Sequence, residues 1–294
     1  MSSSIHKLHN TPAGRVFDVF NHGLLLLIGL AAFIPFVYVI AGSFATEAEL
    51  ARRTFFLWPE TFSLEAYKYV FSTGTFIRSI GVSVFITIVG TIVSLALTMT
   101  MAYPLSRSNL LGKNMLLNII ILTMVFSPGM IPLYIVVRAL GLLDTYWALI
   151  LPLAINPFYL IIVKAFFQNL PNELEEAAKI DGCSEIGIFW KIVLPLSKPV
   201  IATFTLFYAV FYWNDFFQAL LYISDSSKYP VQLLLQQIVM LADMRIGEVD
   251  ALVEPPEETL KLAVIVVATI PILVFYPFLQ KHFAKGVLLG SVKG

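Results

Sequence analysis

Two groups of side chains in this 294-residue sequence have types and spacing suited to something other than lipid. The first is a run of mixed charge holding Glu175, Glu176, Ala177, Ala178, Asp181 and Gly182, followed by Ile192, Leu194 and Pro195. Adjacent carboxylates on a helix offer charge to a cationic surface, and alanines beside them let that surface come close. Asp-Gly marks a sharp turn, because Gly tolerates positive φ. The second group is Tyr208, Tyr212, Trp213, Asn214 and Asp215, set in an apolar stretch. Planar donors and acceptors beside aromatic faces suit a polar solute rather than lipid. Asp215 stands about 15 residues past Pro199, roughly 23 Å at 1.5 Å per residue. A carboxylate at that depth in a membrane costs at least about 2.5–3.5 kcal/mol unless it is paired or faces water. It is therefore a pathway candidate, the alternative being a tie between helices or a place at the outer rim. Tyr134, Asn156 and Tyr159 are secondary members of this group, since an aromatic in a membrane helix more often packs than binds. Met124, Met130 and Trp147 read as packing.

The elements that must position these groups are membrane spans. The chain is 58% hydrophobic and 13% charged, with a mean hydropathy of +0.83, where a soluble domain carries about 25% charged residues. Zero net charge and the lack of a basic block argue against a nucleic-acid partner. One cysteine, Cys183, and four scattered histidines provide neither a disulfide framework nor a metal-ligand pair. Six segments reach the roughly 20 apolar residues a span needs: about 20–42, 77–102, 114–138, 146–166, 199–223 and 261–280. The first is longer than a signal-peptide core and is expected to be retained. The third and fourth carry internal breaks, "FSPGMIPLY" and "LPLAINPFY", which membrane helices tolerate where neighbours re-satisfy the backbone. Arg107 and Lys113 in the short connection between the second and third spans, with no acid, and an acid-rich loop at 224–258 favour both termini inside. The expected fold is all-α, one transmembrane domain over 1–294.

Between the fourth and fifth spans the pattern changes. Pro171-Asn172-Glu173 reads as a helix start, with Leu174, Ala177, Ala178 and Ile180 giving an apolar, small-residue face. After the turn at Gly182, Ile186, Phe189, Trp190 and Val193 are spaced for a second amphipathic helix, which Pro195 ends before Pro199 opens the next span. Such a pair could lie on lipid headgroups, but headgroup-binding helices are usually rich in Lys and Arg, and the first helix here is acidic.

Glu176-Ala177-Ala178, three residues, Gly182, nine residues, then Ile192-x-Leu194-Pro195 resembles the EAA loop of ABC importer permeases. "WPETFSLEAYKYVF", "WNDFF" and the tail "KGVLLGSVKG" are similar to the carbohydrate-type permeases over nearly the whole chain. Within these the resemblance is to relatives of the maltose-system second permease that handle complex oligosaccharides. One departure is Val82, where many such permeases have Asn. The resemblance implies a type I importer permease fold with six spans, N-in and C-in, in a bacterial cytoplasmic membrane. It implies that residues 171–195 form a coupling loop docking on a cytoplasmic ABC ATPase dimer. In that loop Glu175, Glu176 and Asp181 would supply charge, Ala177 and Ala178 would allow close packing, and Gly182 would set the turn. Ile192, Leu194 and Pro195 would join it to the fifth span. It further implies a second, homologous permease, an extracytoplasmic solute-binding protein, an oligosaccharide substrate, and ATP and magnesium bound by the partner rather than by this chain. "GCSEIG" has the glycine spacing of a P-loop, but Ile188 and Phe189 stand where Lys and Ser/Thr belong.

The 224–258 loop by its residues reads as a solvated linker; the resemblance implies that it lies near the binding protein's docking surface, with "YPVQLLLQQ" helical, and that the 285–294 tail approaches the ATPases. A self-sufficient secondary transporter is the alternative, against which stands the absence of internal repeats. An intramembrane enzyme would need a convergent acid–base or metal constellation that the sequence does not supply.

Overall fold

The computed structural model describes residues 12–126, 128–243 and 258–291. Its described secondary structure is helical throughout. Helix α1 runs Pro12–Ser43, α2 Glu47–Arg52, α3 Glu65–Ser72 and α4 Gly74–Ser106. The third expected span divides into α5, Lys113–Val125, and α6, Met130–Ala139; the fourth divides into α7, Trp147–Leu153, and α8, Pro157–Gln168, bent by 54°. Helices α9, Asn172–Ile180, and α10, Glu185–Leu196, precede α11, Lys198–Asn214. Then come α12, Phe217–Tyr222, α13, Val231–Asp243, and α14, Glu258–Ser291. Helices α1 and α4 are long and apolar enough to cross a membrane unbroken. The breaks in the third and fourth spans fall at their Pro and Gly residues, as the sequence predicts.

Contacts gather the chain into two units, Met1–Ser72 with Ile238–Val267, and Thr73–Gln237 with Ala268–Gly294. In the first, Ser43 and Tyr67 share a hydrogen bond of 2.7 Å, and Phe44 stacks on Phe62 and Tyr67. Glu49 is buried under the loop after α2, where its carboxylate accepts from the N–H groups of Glu60 and Thr61 and from Arg53. Those donors hold it below the usual carboxylate range, the Glu60 N–H foremost. Glu47 caps the start of α14 through the N–H groups of Glu258 and Thr259.

The second unit is built on α4 against α11. One face of α4 is lined by small residues: Ser79, Ser83, Gly90, Ser94, Thr98 and Ala102, nearly all three or four positions from the next, are buried. In lipid, where helix association gains little from the hydrophobic effect, small residues let backbones approach and polar ones cross-link them. The Tyr212 ring lies over Gly90, and its hydroxyl bonds Ser94 at 2.8 Å and donates to the Ile150 carbonyl. Tyr208 shares a 2.7 Å hydrogen bond with Thr98. A Cβ on Gly90 would lie 2.8 Å from ring carbons of the buried Tyr212, and overpacking of this kind costs about 1–3 kcal/mol. Gly90→Ala is therefore expected to lower the thermal unfolding midpoint of the purified protein. Gly81→Ala on the same helix, where nothing lies within 4 Å, should leave it unchanged or raise it, alanine being the better helix former; equal midpoints for the two variants would refute the packing account.

Candidate functional site

Helix α9 begins after Pro171, with Glu173 and Glu175 in its first turn and Lys179 in its last, matching the helix dipole. It ends in a Schellman motif. Gly182, at φ +78°, donates to the Lys179 carbonyl at 3.0 Å, and the Cys183 N–H donates to Ala178 at 2.9 Å. Ser184 then caps α10, its hydroxyl accepting from Gly187 N. Residues 189–193 of α10 widen to π-helix. Pro195, which lacks an N–H, follows within the helix rather than ending it; the chain turns by 79° between Leu196 and Lys198.

The faces of this pair differ in part from the sequence expectation. Glu175 and Ala178 point inward and are buried, while Glu176, Ala177, Leu174 and Ile180 are exposed, Ile180 by 87%. Four apolar residues of α10 were expected to share one face. Phe189 and Val193 are indeed buried, with Ile188 beside them, but Ile186 and Trp190 face outward. The inward face follows the Ile188–Phe189–Ile192–Val193 sequence, which packs into the core of the second unit. Leu194 is half-buried there and Pro195 exposed; Asp181 and Gly182 are exposed at the turn.

Glu175 does not present its charge outward. Its carboxylate is in ion contact with the Arg107 guanidinium at the end of α4, and both side chains are largely buried. Arg107 in turn lies over the Tyr103 ring, 4.4 Å from its centroid. The Tyr103 hydroxyl donates to Glu185 Oε2 at 3.1 Å, and Lys179 Nζ meets Glu185 Oε1 at 2.8 Å. Lys179 first, then Tyr103, hold the Glu185 carboxyl below its ordinary range. The sequence reading uses Arg107 only to orient the chain; the local signal was Tyr103, four positions before it on α4.

The second group separates into two kinds. Tyr208, Tyr212 and Trp213 are buried, and their polar atoms are used within the chain, Trp213 Nε1 donating to the Ala268 carbonyl at 3.1 Å. Asn156 caps α8, accepting from Phe158 and Tyr159, and Tyr159 packs on Phe207 and Tyr208. Asn214 is exposed. Asp215 is half-buried in the gap between α11 and α12, accepting from Gln218 N at 3.3 Å. Sequence reasoning missed two neighbours on α12: Gln218 Oε1 and the Tyr222 hydroxyl are buried with no hydrogen-bond partner. Tyr134 stacks on Tyr222 with centroids 6.1 Å apart. Val82, the departure noted above, is packed in the core, while the adjacent Ser83 hydroxyl accepts from Val231 N at the start of α13. The "YPVQLLLQQ" stretch is helical from Val231 onward, in α13. Residues 244–257 and 292–294, and the side chains of the tail from 275, lie outside what is described. Among the described residues no group of three or more His, Cys, Asp or Glu could hold a metal.

An all-helical, apolar chain with broken spans and a polar helix pair tied to a span defines a class, the multi-pass membrane transport components. The comparisons make this particular: the chain belongs to the family of binding-protein-dependent transport system inner membrane components, whose model matches residues 94–289. It is 66% identical over 294 residues to Protein LplC of Bacillus subtilis (strain 168), covering 99% of this chain and 100% of that one. It is 57% identical to the polygalacturonan/rhamnogalacturonan transport system permease protein YtcP of the same organism, covering 95% and 99%. Among solved structures it resembles a chain from the crystal structure of a bacterial ABC transporter involved in the import of the acidic polysaccharide alginate. That match has a TM-score of 0.86 and 32% identity, covering 93% of this chain and 98% of that one.

Proposed function

We propose that this chain is one of two permeases in an ATP-driven importer of an acidic oligosaccharide. The observation that carries the reading is the helix pair α9–α10, whose outer face presents Glu176, Ala177 and Ile180 while its inner face is fastened to α4. A projecting surface of small, apolar and acidic residues fits a cleft on another protein better than an anionic headgroup layer. The pair is the coupling loop, and the ATPase whose cleft it enters supplies all nucleotide chemistry. The second permease completes the path, and a solute-binding protein delivers the sugar outside. The substrate class rests on relatives named for polygalacturonan, rhamnogalacturonan and alginate. The chain's part of the path lies at Asp215 with Gln218 and Tyr222 on one face of α12, beside Tyr134 and Asn214; Tyr208, Tyr212 and Trp213 hold the scaffold behind it.

The test is recovery of tagged chain from its native membranes in mild detergent. An ATPase bearing a Walker-A motif and a second six-span permease are expected with it, and vesicles of the complex should take up oligogalacturonides only with ATP. Asp215→Ala should lower uptake without changing the subunits recovered. Recovery of the chain alone, driving uptake without ATP, would replace this reading with a secondary transporter.

A further inference from the structure

Resting on the importer reading, we propose that Arg107 is a positioning residue for coupling: with Tyr103 it clamps both helices of the α9–α10 pair to the end of α4, so that the pair and α4 move together. The two helices reach α4 through different carboxylates. Glu175 of α9 meets the guanidinium, and Glu185 of α10 meets the Tyr103 hydroxyl, while the guanidinium lies on the Tyr103 ring. Lys179 ties Glu185 back to α9, closing the circuit. Tyr103 is also seated between Phe189 of α10 and Phe167 of α8.

Two features make this a linkage rather than ordinary packing. Arg107 and Glu175 retain only 17% and 11% side-chain exposure. Pulling them apart would leave two desolvated charges unpaired, which is far costlier than moving both together. Arg107 Nε and Nη2 have no hydrogen-bond partner, and Glu175 is the one carboxylate in ion contact with it among the described residues. Elsewhere α10 meets α4 through apolar packing, Phe189 against Tyr103, beside an open cavity lined by Thr100, Ile186 and Trp190. The chain itself joins the pair to α8 through residues 169–171 and to α11 through the bend at Ser197, and not directly to α4. Without the clamp, the pair would act on α4 only through apolar packing, which resists sliding less than a desolvated ion pair resists separation.

The experiment compares reconstituted whole complexes for sugar transported per ATP hydrolysed. Arg107→Gln and Glu175→Gln are each expected to cut that ratio about tenfold, within the usual span of site-to-site coupling factors, with subunit composition and basal ATP hydrolysis unchanged. The exchange Arg107→Glu with Glu175→Arg should restore much of it. Tyr103→Phe removes one hydroxyl and keeps the ring packing, and should cause a smaller fall. If Arg107→Gln disrupts assembly, Tyr103→Phe decides: a lowered ratio supports the clamp, and an unchanged ratio overturns it. A normal ratio in Arg107→Gln, with wild type strictly ATP-dependent, would overturn the linkage alone. ATP-independent uptake by wild type would overturn the importer reading and the linkage with it.

Discussion

Glu176→Lys is expected to abolish substrate-dependent uptake while leaving the chain in the membrane at its ordinary level. The contrast with its neighbour gives the reason. Glu175 is buried and paired with Arg107, so reversing its charge would break the chain's own structure. Glu176 is exposed and makes no ion pair among the described residues. It also lies beyond the first turn of α9, where the helix dipole acts little. A substitution at such a position changes stability by about 0.5 kcal/mol or less. At a docked interface the same reversal juxtaposes like charges or strands a buried cation, which costs about 2–5 kcal/mol, a factor of roughly 30 to several thousand in affinity. Loss of the ATPase from the purified complex, with an unchanged unfolding midpoint, is the accompanying result. Wild-type uptake by Glu176→Lys would remove the docking role of this face.

The same contrast shows what a linear sequence can disclose. The spans were legible because lipid leaves the backbone no partner but itself, so each crossing must write some twenty apolar residues into the chain. The helix pair was legible because its start at Pro171 and its turn at Gly182 are local events, settled by residues a few positions apart. The inward and outward faces of α10 were not, since Ile186, Ile188, Phe189 and Trp190 are all apolar and only packing selects among them. Nor could the sequence separate Tyr208 and Tyr212 from path-lining aromatics. An aromatic on an apolar helix gives one pattern whether it meets a cavity or another helix. What decides is Thr98 and Ser94, 110 and 118 residues away. A usable signal did exist in the small residues of α4 at three- and four-residue spacing, which mark a face that another helix approaches closely. Arg107 was hidden in part for the same reason: Tyr103 stands four residues before it on α4, but Glu175 becomes its neighbour only when α4 and α9 are folded together.

Gly182→Val is expected to reduce uptake about tenfold or more, again without loss of the protein from the membrane. Gly182 holds φ +78° with nothing within 4 Å of where a Cβ would stand. The penalty within the chain is therefore conformational rather than steric. An L-residue in the left-handed region costs about 1–2 kcal/mol, and a β-branched one is a genuine outlier there. Valine would relieve the strain by moving to negative φ, breaking the Gly182–Lys179 and Cys183–Ala178 bonds and re-aiming α10 against α9. Both helices would persist, because their burial rests on Ala178, Ile188, Phe189 and Val193 rather than on the turn. Gly182→Asn separates the two ways this position could matter, since Asn tolerates the left-handed region but adds a side chain at the exposed tip. Uptake retained by Asn and lost by Val would mean that the angle between the helices transmits the motion. Uptake lost equally in both would mean that the partner's surface closes on the tip and leaves no room for a Cβ that this chain itself would accommodate. Normal uptake by Val would end the case for a fixed turn.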